Sequence, residues 1–543
     1  MSMPEVGTTN TPQDPPAPGR RISLWWWLAG VVVILVGSVA GARFFSHSAL
    51  LAPAVIVSPE TTYVTEPLAA DGLPDYVAAV NRHFGRGVTP ENNAAVLLLE
   101  ALGPQSLDVF PPRVYAQLGT QPPRSDLPTF ISWESFAHKQ GVQDVTSLAW
   151  SERCEPFLQR PWDPQQQPLL ARWLERNRRT LDLAVQACRR PRYFVPVIRS
   201  PEDTLLEARM GHMLTFREVS RGLCARAMLR LHQKQYAAAW EDLLTTWRLG
   251  RLLTQGWSVV GYFMGSAIQW MAYRATGTFL AVAPLDEKTL RRYRRQLEQL
   301  PPVADPVDCM ALSERLALLE VFLHGARGRR VEILGEELLE PLSALSSQHL
   351  DWNEALRVVN AGFDHLQQAL QHRDLEELNR VLRSFRQQRR EYTDSTWAWL
   401  AAQVNRRARS RYLAAVLLDL MSGPQEPLLR VHFRLRQQHQ LALVAFSLSA
   451  YRRRQGSYPQ RLEQLVPQAL PRVPQDVFGR RLVYRPGTAG CLLYSLGVNG
   501  RDDQGRFDLE EGVDDFSLRL PPPWLAEPLE PEPPLPPGAS LRH

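Results

Sequence analysis

The sequence predicts a mainly α-helical protein with a single N-terminal transmembrane helix, a large helical extracytoplasmic body and a small C-terminal α+β module. Residues 22–42, ISLWWWLAGVVVILVGSVAGA, form an apolar run without a charged side chain. From about residue 73, apolar residues recur at the three- and four-residue spacing that is typical of amphipathic helices. After Tyr451 the pattern changes to short β-type runs that are separated by glycine and proline.

The apolar run is long enough to cross a bilayer, since about 20 helical residues span a hydrocarbon core about 30 Å thick. Arg20 and Arg21 precede it and favour a cytoplasmic N-terminus, with the bulk of the chain outside the cytoplasm. A cleaved signal peptide is the alternative, because Ala40-Gly41-Ala42 has the small-x-small form that signal peptidase accepts. The length of the run and its proline-rich leader favour the anchor.

Composition divides the chain into six parts. Proline-rich ends without apolar periodicity are typical of disorder, and three prolines after the anchor restrict helix formation. We therefore expect a disordered cytoplasmic tail at 1–21, the anchor at 22–42, an extended linker at 43–72, a helical domain at 73–425, a long helix with a small α+β module at 426–520, and a disordered tail at 521–543.

Apolar spacing and helix-end signals place the helices of the body. Thr89 followed by Pro90 is typical of an N-cap and the first helical position. Trp257–Tyr273 is very apolar but short for a span, so we expect a buried helix there. Other helices are predicted over Asp75–Phe84, Pro168–Arg189, Pro201–Gln233, Tyr236–Leu253, 286–299, 307–325, 328–346, 352–371, 374–391, 393–421 and Leu428–Arg453.

Composition also excludes several kinds of chemistry. Lys139, Lys234 and Lys288 are the only lysines, and none follows a glycine, so no phosphate-binding loop of the Gly-Lys-Ser/Thr type is present. Arginines alternate with acidic residues and the net charge is only +6, so we expect solvated helix faces and no binding of nucleic acid or nucleotide. The five cysteines form no CxxC pair, which leaves disulfides or buried thiols as alternatives.

The C-terminal stretch resembles a known module. It contains Gln455-Gly456-Ser457-Tyr458-Pro459, then Pro474–Gly479, and ends in Leu493-Tyr494-Ser495-Leu496-Gly497-Val498-Asn499-Gly500. This order is similar to the globular half of the major pseudopilins of type II secretion, which end in a comparable strand and an acidic, calcium-binding loop. A pseudopilin has glutamate at the fifth position after its processing site, whereas the fifth residue after the candidate Gly19 is Leu24, and about 400 residues separate the anchor from the module. A fibre subunit is therefore not expected.

The whole arrangement is similar to a family of membrane-anchored planctomycete proteins that end in the same module. The segments that carry this second resemblance are Glu60–Tyr63, Gly87–Ala95 and Leu169–Leu174. The resemblance implies architecture and location, and no activity.

The acidic loop near the C-terminus is the best chemical candidate. Calcium needs six to eight hard oxygens on a backbone that can wrap around it, and this glycine-containing segment supplies both. A solvated acidic loop that is offset by Arg501 and Arg506 is the alternative. The predicted calcium ligands are Asn499, Asp502, Asp503, Asp508, Asp514 and Asp515.

Two histidine pairs and two carboxylate pairs are weaker candidates. His365 with His372, and His432 with His439, lie seven residues apart. Metal ligands on one helix usually lie three or four apart, so we expect these histidines to be structural. Glu336 with Glu337, and Glu376 with Glu377, would serve acid–base chemistry only in a cleft that separates their pKa values.

These observations favour a non-enzymatic scaffold or protein-interaction protein at the membrane, with protein partners and no cofactor other than calcium. An accessory component of a secretion or pilus-like assembly, which would use the C-terminal module, is one alternative. An extracytoplasmic hydrolase that uses carboxylates of the helical body is another.

Overall fold

The computed structural model describes residues 54–104, 106, 109–142, 154–200, 203–208, 210–329, 350–370, 375–421, 425–508, 511–527 and 529. The predicted tail and anchor, residues 1–42, lie outside this part of the chain, as does most of the predicted helix 328–346. Within the described residues, no helix has both the length and the apolar character that crossing a membrane requires.

Sixteen α-helices are described in these ranges, and the mainly α class is confirmed. The first ten are α1 Tyr76–Phe84, α2 Ala94–Leu102, α3 Pro112–Gln117, α4 Trp133–Lys139, α5 Pro168–Arg176, α6 Arg178–Ala187, α7 His212–His232, α8 Tyr236–Leu253, α9 Val259–Val282 and α10 Glu287–Glu298. A π-helical turn, Asp308–Glu314, then leads into α11 Arg315–Ala326, α12 Trp352–Leu370, α13 Leu375–Thr393, α14 Thr396–Val404, α15 Arg406–Met421 and α16 Gln425–Gln455.

The larger apolar core is built around the α7–α8 hairpin, α9, α10 and α16. Trp240 of α8 is buried and stacks on Tyr293 of α10, with ring centroids 5.1 Å apart. A Cβ atom on Gly250 would lie 2.7 Å from the carbonyl oxygen of Gly265, so the backbones of α8 and α9 pack closely because both residues are glycine. Burial of α9 confirms the interpretation of Trp257–Tyr273 as a core helix.

A second core lies between α1, α11, α12 and α15. Arg315 is fully buried there, 4.0 Å above the ring of Tyr63 and with Nη2 2.8 Å from Oδ1 of Asp364. The aliphatic residues around it include Leu316, Leu319, Leu356, Val359 and Leu417.

The first described residues, 54–62, are fastened along α12, and we call them the N-terminal strap. Asn353 binds the strap twice, by accepting from the Ile56 amide at 2.8 Å and by donating to the Ala54 carbonyl at 3.0 Å. Two turns later, Asn360 donates to the carbonyls of Glu60 and Thr61. This part of the predicted linker is therefore held against the helical body.

The C-terminal module is a three-stranded antiparallel sheet in the order β1–β2–β5. Its strands are β1 Val483–Pro486, β2 Cys491–Ser495 and β5 Phe516–Leu520, and a short hairpin, β3 Phe507–Asp508 with β4 Val513–Asp514, lies between β2 and β5. The sheet packs on α16 and α9, where the hydroxyl of Tyr273 donates to the Ser517 carbonyl at 2.7 Å. The module therefore shares the larger core.

Polar side chains shift several helix boundaries from the predicted positions. The predicted start at Thr89 is wrong, because residues 89–93 form a turn and Asn93 caps α2 by accepting from the Ala95 amide. The single helix predicted over 168–189 breaks at Asn177, whose side chain binds the main chain of Ile131. The helix predicted over 393–421 is likewise interrupted, at Asn405.

The helix predicted over 201–233 begins late, at His212, since residues 205–207 form a 3₁₀ turn.

Candidate functional site

The predicted acidic loop connects β2 to β5 and folds back on itself through the β3–β4 hairpin. Phe507 pairs with Asp514 in this hairpin. Gly497 begins the loop with a φ of 60°, and a Cβ atom there would lie 2.1 Å from the Asp514 carbonyl oxygen. A glycine is therefore required where the loop passes its own far end.

Asp514 is the buried centre of the loop. Its Oδ2 accepts from the amides of Val498 and Asn499, at 3.0 and 3.1 Å. Nη1 of Arg430, on α16, lies 3.6 Å from the same oxygen. Burial nevertheless raises the pKa of this carboxyl, against the opposing effect of these partners.

Two more carboxylates lie on the same side of the loop. Oδ2 of Asp503 accepts from the Asn499 side chain at 3.0 Å and from the Asp514 amide at 3.1 Å. Oδ2 of Asp515 accepts from the Gly505 amide at 2.8 Å, whereas its Oδ1 is buried without a hydrogen-bond partner. Burial, with the charge of Asp503 nearby, raises the pKa of Asp515 to about 6.

The other two predicted ligands point elsewhere. Oδ1 of Asp502 accepts from the Tyr494 hydroxyl and the Gln504 amide, both at 2.9 Å, and the bond from Gln504 lowers the pKa of this carboxyl. Oδ1 of Asp508 accepts from the Glu511 amide at 3.4 Å. The structure thus joins Asn499, Asp503 and Asp514 directly and places Asp515 beside them, whereas Asp502 and Asp508 bind other partners.

This arrangement fits a calcium site only in part. Backbone amides occupy most of the inner carboxylate oxygens, and the unpartnered Oδ1 of Asp515 is the atom that a cation or a proton would satisfy. Among the described residues, no group of three or more histidine, cysteine, aspartate or glutamate side chains is arranged to hold a metal ion. Calcium binding by this loop stays a prediction.

A groove of about 420 Å³ lies between the acidic loop and the first half of α16. Its walls are mainly apolar and come from Pro427, Val431, Val498, Phe507 and Phe516. We call it the α16 groove. Sequence reasoning missed it, because its two sides are about 70 residues apart in the chain.

Two arginines and one carboxylate give the α16 groove its polarity. Arg430 and Arg434 lie one turn apart on α16, and Asp514 lies opposite Arg430. The guanidinium of Arg434 is 5.8 Å from the ring centroid of Phe507 and 5.9 Å from that of Trp270, and burial lowers its pKa. Apolar walls beside a guanidinium can bind a peptide segment that carries apolar side chains and a carboxylate.

The second histidine pair has the structural role that the sequence predicts. Nδ1 of His432 lies 2.7 Å from the Tyr262 hydroxyl, and Nε2 of His439 lies 3.0 Å from the Leu297 carbonyl. Burial lowers the pKa of each imidazole to about 4, so both are neutral at physiological pH. Of the first pair, His365 contacts the carbonyl of its own helix, and His372 lies outside the described residues.

The predicted carboxylate pairs cannot be placed in a site. Glu336 and Glu337 lie outside the described residues, and the side chains of Glu376 and Glu377 are likewise not described.

The structure brings other carboxylates into the interior that sequence reasoning missed. Glu320 is buried between Arg199, at 2.8 Å, and the Leu205 amide, at 2.6 Å. Glu314, in the π-helical turn, has a pKa that burial raises to about 7, against a bond from the Val259 amide. Their partners are more than 50 residues away, so no local pattern in the sequence could have found them.

Asp242 of α8 is the most completely paired acid. Arg226 of α7 donates to both of its carboxylate oxygens, at 2.8 and 3.1 Å, and Arg230 donates to Oδ2 at 2.7 Å. Two guanidiniums saturate this carboxylate, which makes it a structural ion-pair cluster rather than a reactive group.

All five cysteines are free and buried, which agrees with the thiol alternative. No family model, no curated protein and no solved structure matches this chain.

Proposed function

We propose that this protein is a membrane-anchored, extracytoplasmic scaffold whose C-terminal module binds a peptide segment of a protein partner. The α16 groove carries the proposal. Its apolar walls and the guanidinium of Arg434 match a segment with apolar side chains next to an acidic one. Two buried acids of the helical body, Asp242 and Glu320, are paired with arginines, which favours binding over catalysis.

The N-terminal strap supports the scaffold part of the proposal. If residues 22–42 form the anchor, only residues 43–53 separate it from Ala54, which is bound to α12. Eleven extended residues reach about 40 Å at most. A rigid body would then be held within that distance of the bilayer.

A part in a secretion or pilus-like assembly is the second candidate. The order of a long helix, the β1–β2 hairpin and then an acidic loop favours it, because the resemblance to pseudopilins implies a strand that is followed by such a loop. In that case the partner segment would belong to another component of the assembly.

Protease accessibility tests the location. In spheroplasts of cells that express the full chain, we expect external protease to digest the body and spare a short N-terminal fragment. Digestion that needs protease inside the cell would overturn the proposed topology.

Crosslinked pull-down from membranes tests the α16 groove. We expect Val431→Glu to lose a partner that the wild-type chain captures, because a carboxylate would stand on an apolar wall. Leu214→Glu is the matched control, since Leu214 is exposed and does not line the groove. Equal capture by all three proteins, with equal thermal midpoints, would contradict a role for the groove.

A further inference from the structure

The helix α14 presents an apolar stripe to solvent. Trp397, Leu400, Ala401 and Val404 follow the i, i+3, i+4, i+7 spacing that usually marks the buried face of a helix. Here all four are exposed, with Trp397 81% and Val404 77% accessible. The buried side of the helix is marked by Ala402, so α14 touches α15 with its small residues and turns its large ones outward.

The chain around this stripe is strongly basic. Residues 380–411 contain nine arginines and two acids, Glu391 and Asp394, an excess larger than the +6 of the whole chain. Two of these arginines, Arg389 and Arg409, are buried, and Asp419 of α15 lies 3.6 Å from Arg389 and 4.0 Å from Arg390. On the other side, Arg407 lies 3.6 Å from Asp351 and Arg411 contacts Glu354. Both arginine side chains nevertheless stay more than half exposed.

The stripe adjoins the place where the N-terminal strap enters the body. Asn353 of α12 holds the Ala54 carbonyl, and three residues earlier the Leu350 carbonyl accepts from Arg406 at 2.8 Å. Arg406 is the first residue of α15, and Asn405 alone separates it from α14. Ala54, the first described residue, therefore lies near the junction of α14 and α15.

We propose that α14 docks on the surface of the bilayer that holds the anchor. Its apolar stripe enters the headgroup region, and the exposed arginines of the neighbouring helices, Arg407 and Arg411 among them, face anionic headgroups. Tryptophan and arginine beside aliphatic residues are the composition of helices that lie in a membrane interface. This inference rests on the proposed anchor, because the connection of at most about 40 Å through residues 43–53 keeps α14 within reach of the lipid.

A single probe on the stripe tests the docking in the full chain. Trp397→Cys is labelled with the environment-sensitive fluorophore NBD, and the five native cysteines are buried and do not compete. Val282→Cys is the matched control, because Val282 is exposed at the C-terminal end of α9. Val259, at the other end of this helix, belongs to the second core and lies about 35 Å away along the helix axis. Each protein is reconstituted in nanodiscs of phosphatidylcholine, with and without phosphatidylglycerol, and quenched by doxyl-labelled lipid.

If α14 docks, the emission of the probe at residue 397 should shift to the blue, and doxyl lipid should quench most of it. Both effects should be larger with phosphatidylglycerol. The probe at residue 282 should show neither effect. Replacing Leu400 and Val404 by serine should weaken the quenching. The docking would be overturned if the protein stays in the nanodiscs after a carbonate wash and the probe at residue 397 is quenched no more than the probe at residue 282. That result would still support the anchor.

Other outcomes assign the stripe differently. If carbonate extracts the wild-type chain from membranes, both the anchor and the docking are overturned. A probe at residue 397 that is shielded from aqueous iodide but not quenched by lipid would show that protein covers the stripe and would overturn the docking. A disulfide crosslink between two unlabelled copies of the Trp397→Cys variant would then identify a second copy as the cover.

Discussion

Replacing Asp515 by asparagine should stabilise the C-terminal module at neutral pH and have no effect near pH 4. In the folded chain one oxygen of this carboxylate accepts from the Gly505 amide, and the other is buried without a partner. Asparagine keeps an acceptor for that amide and removes the charge. The substitution therefore tests whether the ionised carboxylate is a cost to the fold.

The magnitude follows from the pKa of this group. Its folded pKa of about 6 lies above the ordinary value of 3.8, so between those pH values the folded state binds more protons than the unfolded state. The free energy of unfolding then falls as the pH rises through this window, and the loss is complete above about pH 6. The gap corresponds to at most about 3 kcal/mol, and we expect a gain of about 1–3 kcal/mol for the asparagine variant at neutral pH.

Thermal unfolding at about pH 4 and about pH 8, with hydrogen exchange of the Gly505 amide, measures the effect. Asp502→Asn is the control of opposite sign, because the amide of Gln504 lowers the pKa of that carboxyl. Its asparagine variant should lose stability at neutral pH, and that loss should fade as the pH falls through the lowered pKa. A destabilised Asp515→Asn variant at neutral pH would refute the reasoning, and reversal of that result by a chelator would reveal a bound cation.

Three further substitutions test the packing, each by thermal or denaturant unfolding. Asp242→Ala should cost about 3–5 kcal/mol because it leaves two guanidiniums without their buried partner, whereas Asp126→Ala, in an exposed ion pair, should cost less than about 1 kcal/mol. Gly250→Ala should cost about 1–3 kcal/mol because its Cβ atom would lie 2.4 Å from a side chain of α9. A Cβ atom on Gly211 would have no neighbour within 4 Å, so Gly211→Ala should change stability by less than about 1 kcal/mol. Asn177→Ala should cost about 1–3 kcal/mol, since the partly buried Ile131 amide would lose its acceptor and the Ile131 carbonyl would keep only the Trp173 indole as a donor. Equal losses within either matched pair, or an unchanged Asn177→Ala variant, would contradict these assignments.

Local patterns in the sequence predict most of the helices, because apolar spacing usually reflects burial; the exposed stripe of α14 is an exception. The hairpin of α7 and α8 and the core helix α9 can be predicted from the sequence for that reason. Breaks inside a helix cannot be predicted from apolar spacing. Asn177 ends one helix and begins the next because it binds Ile131, which is 46 residues away, and no spacing rule contains that contact.

The candidate site shows the same limit. Composition identifies the acidic loop, since glycine and aspartate mark a wrapping, oxygen-rich segment. Which carboxylates turn inward depends on the amides of the β3–β4 hairpin and on Arg430 of α16, which lies 84 residues before Asp514. The strand β5 was missed because its alternation is short and follows a run of acids, and its pairing with β2 decides where the loop closes.

Residues near both ends of the described chain bind residues far from them in the sequence, and this sets the order in which contacts can form during synthesis. The carbonyl of Glu60 can be bound only after the ribosome has added Asn360, 300 residues later. Tyr273 likewise waits for Ser517, which follows it by 244 residues. Such distant pairings slow folding, because the entropy of a long loop is lost before the contacts that stabilise the closed chain can form. The second core cannot be completed until Leu435 has been translated, and the larger one not until Leu520 has been added. Nascent chains stalled before residue 350 should therefore present unsatisfied apolar helices to chaperones.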